Sequence, residues 1–130
     1  SFVRDSSICK IGYFSKYKSF YHEDAVLISQ TNQTTTTIKD AFVRWEEGFR
    51  QTRSGKIKTN IEVKFKKRLA DKKTFFEEGM LKYWTTDSEG NDNISYLEFE
   101  AVWIKRGKEW LMIMENQKSF LDEIEWNKLE

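Results

Sequence analysis

A chain of 130 residues with 38% hydrophobic, 15% aromatic and 33% charged side chains has the makeup of one folded domain, able to bury about two-thirds of its unfolded surface, and the lack of proline argues against a linker or disordered tail. Its 22 basic and 21 acidic residues leave a net charge of +1, which favours no polyanionic partner, and no apolar run reaches the roughly 18 residues of a membrane helix. One cysteine, Cys9, excludes an internal disulfide and one histidine, His22, excludes a histidine-rich metal site, so neither a metal nor a cofactor is expected.

The chain starts at Ser1 rather than methionine, which points to a processed or cloned end and leaves open both a cytoplasmic location and export after loss of a leader. Ile8, Ile11, Phe14, Tyr17 and Tyr21 recur at helical spacing, with Gly12 as an interruption, so two short helices are expected, the second ending near Glu23. Cys9 then packs as a small apolar residue, and His22 sits at a polar helix end. Ala25 to Ile28 reads as a short strand, and the polar run Ser29 to Thr36 as a turn or hairpin tip.

Thr37 can cap the next helix, with Asp40 answering from the third helical position as in a capping box. Ile38, Phe42, Trp45 and Phe49 follow at steps of four, three and four, which sets one aromatic stripe on one face, and Ser54-Gly55 ends the helix. From Lys58 the period becomes two. Ile61, Val63 and Phe65 alternate with Glu62, Lys64 and Lys66, Phe75 to Trp84 forms a second long strand, and Asp87 to Asn93 is a polar loop with Gly90 at its tip.

Between Lys56 and Lys73 stand eight basic and two acidic residues, whereas Glu77 to Glu100 holds seven acidic residues against Lys82 alone. A nucleic-acid strip could look like this. Opposite charges facing each other across successive antiparallel strands explain the segregation more simply, so no nucleic acid is expected as a partner.

The strand Ser95 to Lys105 returns through a turn at Gly107 into Trp110 to Gln117. Regular alternation places Leu97, Phe99, Ala101, Trp103, Trp110, Met112, Met114 and Asn116 on an inner face, and Tyr96, Glu98, Glu100, Val102 and Ile104 on the other. The inner set suits a core or a ligand pocket, with Asn116 as a polar group that must find a hydrogen-bond partner. One of the adjacent Glu77 and Glu78 must also point inward. The second face mixes apolar and acidic side chains and suits a homodimer contact. Beyond it, Ser119 and Asp122 offer a further capping box for a short acidic helix carrying Phe120, Leu121 and Ile124, so residues 119–130 form a helical extension of the single domain 1–130.

Two segments carry a family resemblance. Phe20-Tyr-His-Glu-Asp-Ala-Val-Leu27 resembles the passage from second helix to first strand in the nuclear transport factor 2-like (SnoaL-like) superfamily, and Val102-Trp-Ile-Lys-Arg-Gly-Lys-Glu-Trp110 resembles its charged hairpin between two tryptophans. The resemblance covers about residues 1 to 119 and implies an α+β, cone-shaped fold. In such a fold a strongly curved, mainly antiparallel sheet wraps around about three N-terminal helices and leaves an apolar pocket, commonly in dimers packed through the sheet.

Thr36 or Thr37 stands where the family often has a glycine, and Met114 and Asn116 stand near positions where a histidine is frequent. Enzymes on this fold, such as ketosteroid isomerases and scytalone dehydratases, use a pocket aspartate or histidine, and no matching constellation is present. The expected function is a pocket domain of uncharacterised ligand, with room for weak acid–base chemistry by a glutamate. The alternative is a dimeric interaction module with a filled pocket. The expected ligand is a small apolar molecule with one or two oxygens, held by Asn116, one of Glu77 and Glu78, and walls from Trp45, Phe99, Trp103, Trp110, Met112 and Met114.

Overall fold

The structure, a computed structural model, describes residues 18–129. The first expected helix and most of the second, and Cys9 with them, lie outside those residues; the end expected near Glu23 is strand instead. Helix α1, Ile38–Ser54, has the ends its local chemistry dictates. The Thr37 hydroxyl accepts from the Asp40 backbone N–H at 3.3 Å, satisfying one of the free donors of the first turn. Gly55, at φ 85°, closes the other end in a left-handed conformation that side chains resist, and its N–H donates to Thr52 O.

Six strands form one sheet: β1 (Tyr21–Ser29), β2 (Thr34–Thr37), β3 (Ile57–Ala70), β4 (Thr74–Asp87), β5 (Asp92–Arg106) and β6 (Glu109–Leu121), ordered β2-β1-β6-β5-β4-β3. Every pairing is antiparallel except β1 with β6. This pairing extends β1 well before Ala25, since Met112 N–H donates to Phe20 O at 2.8 Å, so His22 lies in a strand rather than at a helix end. The polar run after Ser29 is a hairpin whose second arm is β2.

Helix α1 packs against β1, β2 and β3, although three strands separate β1 from β3 in the sheet. A flat sheet would hold those strands roughly 19 Å apart, wider than a helix of about 10–12 Å, so the sheet is curved around α1. Ile38 and Ala41 of the helix enter a core with Tyr21, Ala25, Leu27, Phe75, Ala101, Trp103 and Met112. Among the described residues one main helix thus lines the sheet, the third of the three expected.

Alternation along β6 is broken twice. Val102 pairs with Met114 but Trp103 with Met112, and Glu98 pairs with Ser119 but Phe99 with Gln117, so Ile113 and Lys118 are bulged residues. Each bulge shifts the strand by one residue and exchanges its faces. Met114 and Asn116 therefore lie on the outer face, opposite Val102 and Glu100, which corrects their expected inward placement. Glu115, Gln117 and Phe120 take the inward positions. On β3 a third bulge at Lys66 adjoins Gly79, where a Cβ would stand 2.2 Å from the Lys64 carbonyl oxygen; only glycine fits this approach.

The outer face carries a linked charge cluster. Lys118 reaches Glu78 at 3.2 Å and Glu98 at 3.3 Å, and Lys66 reaches Glu98 at 2.9 Å. Basic and acidic blocks do meet across strands, but Lys118 of β6 supplies much of the neutralisation rather than the β3 block alone. The Lys66 contact holds the Glu98 carboxyl below its ordinary range, and the bond to Glu78 raises the Lys118 ammonium.

Strand β6 continues through Leu121, which pairs with Tyr96, so Ser119 is not a cap. Asp122 caps α2 (Glu123–Lys128) instead, accepting from Glu125 N–H at 2.8 Å. Helix α2 folds onto the outer face, where Trp126 is buried beside Tyr96 and under the Lys64 ammonium, 4.4 Å from its ring centre.

Candidate ligand cavity

Alternation along β4 and β5 brings Glu77, not Glu78, to the inner face. Glu77 pairs with Ala101, and Ala101 with Glu115 of β6, so two buried carboxylates, 1% and 5% exposed, flank one alanine in a row across three strands. Two strand spacings separate them by about 10 Å along the row. Glu77 accepts from the Trp103 indole at 3.1 Å. Glu115 accepts from the Tyr21 hydroxyl at 2.9 Å and from the Gln117 amide at 3.2 Å. Tyr21 is itself wedged edge-on against Phe42, with ring centres 5.4 Å apart, which ties the Glu115 contact to helix α1.

A cavity of about 470 Å³ opens between the second half of α1 and one end of the sheet. The antiparallel path makes that end out of the starts of β3 and β5 and the ends of β4 and β6. Its apolar wall is Trp45, Phe49, Ile61, Leu81, Tyr83, Leu97 and Phe120, and its polar groups are Arg44, Thr52, Thr59, Ser95, Glu115 and Gln117. A second cavity of about 200 Å³ shares Arg44, Trp45 and Gln117 with the first and adds Leu27, Ser29, Asn32, Thr34 and Thr36. An apolar chamber with a few convergent polar groups is the usual architecture of a small-molecule site.

Of the ligand-holding residues named from the sequence, Trp45 alone is among the described wall residues of either cavity, joined there by Leu97 of the expected inner face and Phe49 of the aromatic stripe. Phe99, Trp103, Met112 and Glu77 face the same side but are buried at the closed part of the sheet, and Trp110 packs partly buried against that core. Glu78, Met114 and Asn116 face outward. The Asn116 amide, 6% exposed, donates to Glu100 at 2.9 Å and accepts from Gln30 at 3.1 Å, so its hydrogen-bonding needs are met there. Tyr96, Glu98, Glu100, Val102 and Ile104 lie on the outer face as expected, with Tyr96 beside Trp126.

Glu115 was missed because it stands past a bulge in a run of four apolar residues, Leu111 to Met114, where alternation carries no phase information. The available signal was Tyr21, whose buried hydroxyl requires an acceptor. His22, Glu23 and Asp24 bring three donor atoms within 4.8 Å of one another on β1, but His22 Nδ1 already accepts from Asp24 N–H and Arg106 lies against Glu23.

No family model and no curated protein matches the sequence. Solved structures do share its fold. A protein of unknown function of the nuclear transport factor 2-like type from Prochlorococcus is 15% identical, with a TM-score of 0.64 over 88% of this chain and 84% of its own. One of the same type from Shewanella oneidensis is 13% identical, with a TM-score of 0.64 over 85% and 87%. A candidate calcium/calmodulin-dependent protein kinase II association domain from Xanthomonas campestris is 19% identical, with a TM-score of 0.66 over 91% and 81%. The curved sheet, its single parallel pairing and the helix in its concavity thus have the nuclear transport factor 2-like fold.

Proposed function

We propose that this chain is a small-molecule-binding domain whose site is the cavity between α1 and the open end of the sheet. The observation that carries this reading is the buried carboxylate of Glu115 in a chamber walled mainly by aromatic and aliphatic side chains. An apolar body gains from the wall, and a hydroxyl or amine on it can donate to Glu115. Glu115 is also the group that would exchange a proton in any reaction here. The chain's one histidine is not among the wall residues, and the residues favour binding over turnover. The test is a thermal-shift screen of small, mainly apolar compounds against the wild type and Leu97→Trp, which fills the chamber. A ligand at about a hundred times its dissociation constant should stabilise the wild type by about 2.7 kcal/mol and the variant far less; equal shifts reject the site.

One observation favours a second reading, a homodimeric interaction module. Leu69, Phe76, Val102, Met114 and Val26 stand in a single row across five strands of the outer face, with Leu69 55% and Val26 40% exposed. Such a stripe suits a symmetric contact. Sedimentation of wild type at twice the 15.6 kDa chain mass, with Val102→Lys at the chain mass, supports it; a wild-type monomer at tens of micromolar rejects it.

A further inference from the structure

The two cavities differ in chemistry as well as size. The larger is walled mainly by rings and aliphatic side chains. The smaller is bordered by the hydroxyls of Ser29, Thr34 and Thr36 and the amides of Asn32 and Gln117, and no acidic residue is among its described wall residues. Arg44 borders both. It makes no ion pair among the described residues, although its helix neighbour Arg50 holds both Glu46 and Glu47. On the side of the smaller cavity the exposed Arg44 guanidinium borders only neutral hydroxyls and amides among the described residues, an arrangement complementary to an anion, and its planar fork matches a carboxylate with two parallel hydrogen bonds. Glu115, the acid on the wall of the larger cavity, is engaged by Tyr21 and Gln117.

We infer that the ligand is an apolar acid, with a flat ring system in the larger cavity and a carboxylate in the smaller one, gripped by Arg44. This deepens the binding function proposed above and rests on it. Trp45, common to both cavities, stands where body and head would join. The charge gives selectivity over a neutral molecule of the same shape, and the aromatic wall gives the bulk of the affinity.

The experiment compares naphthylacetate with naphthylethanol, near-isosteric acid and alcohol, by isothermal titration against wild type, Arg44→Gln, Arg44→Lys and Leu97→Trp. The acid should bind wild type at least about tenfold more tightly than the alcohol, as a charge-assisted hydrogen bond implies. Arg44→Gln should erase that preference by weakening the acid far more than the alcohol, while Arg44→Lys keeps part of it. Added salt should narrow the gap. If acid and alcohol bind wild type equally, or Arg44→Gln weakens both alike, the acid head is overturned; loss of both in Leu97→Trp then leaves the cavity reading standing. If neither compound binds wild type, the flat-ringed acid is overturned, and the cavity reading stands or falls by the thermal-shift screen.

Discussion

The indole N–H of Trp103 donates to a carboxylate oxygen of Glu77 at 3.1 Å, joining adjacent strands β5 and β4 through two side chains almost wholly removed from water. Each answers a need of the other, since a buried carboxylate requires donors and a buried indole requires an acceptor. Trp103→Ala should cost about 3–5 kcal/mol by opening a cavity. Trp103→Phe, which keeps a ring but removes the donor, should cost about 1–3 kcal/mol. Denaturant unfolding measures both, and a loss under about 1 kcal/mol for the alanine variant would show that the ring is not part of the core.

Two glycines should respond in opposite directions. Gly79→Ala forces a Cβ against the Lys64 carbonyl, which is backbone held in the β3–β4 ladder and cannot move alone, so it should destabilise by about 1–3 kcal/mol. Gly48→Ala meets nothing within 4 Å among the described residues, in an exposed part of α1, and should stabilise by about 0.5–1 kcal/mol. Thermal melts of the two variants give the sign directly.

The outer charge cluster fixes a pH dependence. Glu98 has its carboxyl lowered first by Lys66, so its contribution is present above the ordinary value of 4.5 and is lost as pH falls through the lower folded value. Lys118 is raised first by Glu78, so its contribution is present below 10.5 and is lost as pH climbs through the higher folded value. Between those limits stability should be flat with respect to this cluster. Glu98→Gln should therefore be less stable than wild type near neutrality, and unfolding followed down the acid limb should show the two curves converging.

Helix α1 was legible because its signals are local: a capping threonine, a four-three-four aromatic stripe and a terminal glycine act within a few residues of where they are read. The hairpins were legible for the same reason. The candidate site was not, because its position depends on two single-residue irregularities in β6. Leu111, Met112, Ile113 and Met114 are all apolar, so slipping the strand by one there changes no local preference, and only the partner strand decides which of them is bulged. Alternation also assigns a face without saying where along it the helix fits closely, so Trp103 and Met112 were correctly turned inward yet belong to the packed part. Ser119 resembles a cap as well as Asp122 does; the pairing of Leu121 with Tyr96 keeps the strand running and moves the helix start three residues on.

The parallel pairing of β1 with β6 bears on the order in which the chain assembles. Strands β3 to β6 form a meander of near-neighbour hairpins, quick to close, whereas the Tyr21–Glu115 contact spans 94 residues and must wait for that meander to present its β6 edge. The early unit supplies one wall of the cavity, and the late unit of β1, β2 and α1 supplies the other. The chamber therefore lies along the seam where the last piece docks. Lifting that piece partway, short of global unfolding, would widen the opening through which a molecule enters and leaves.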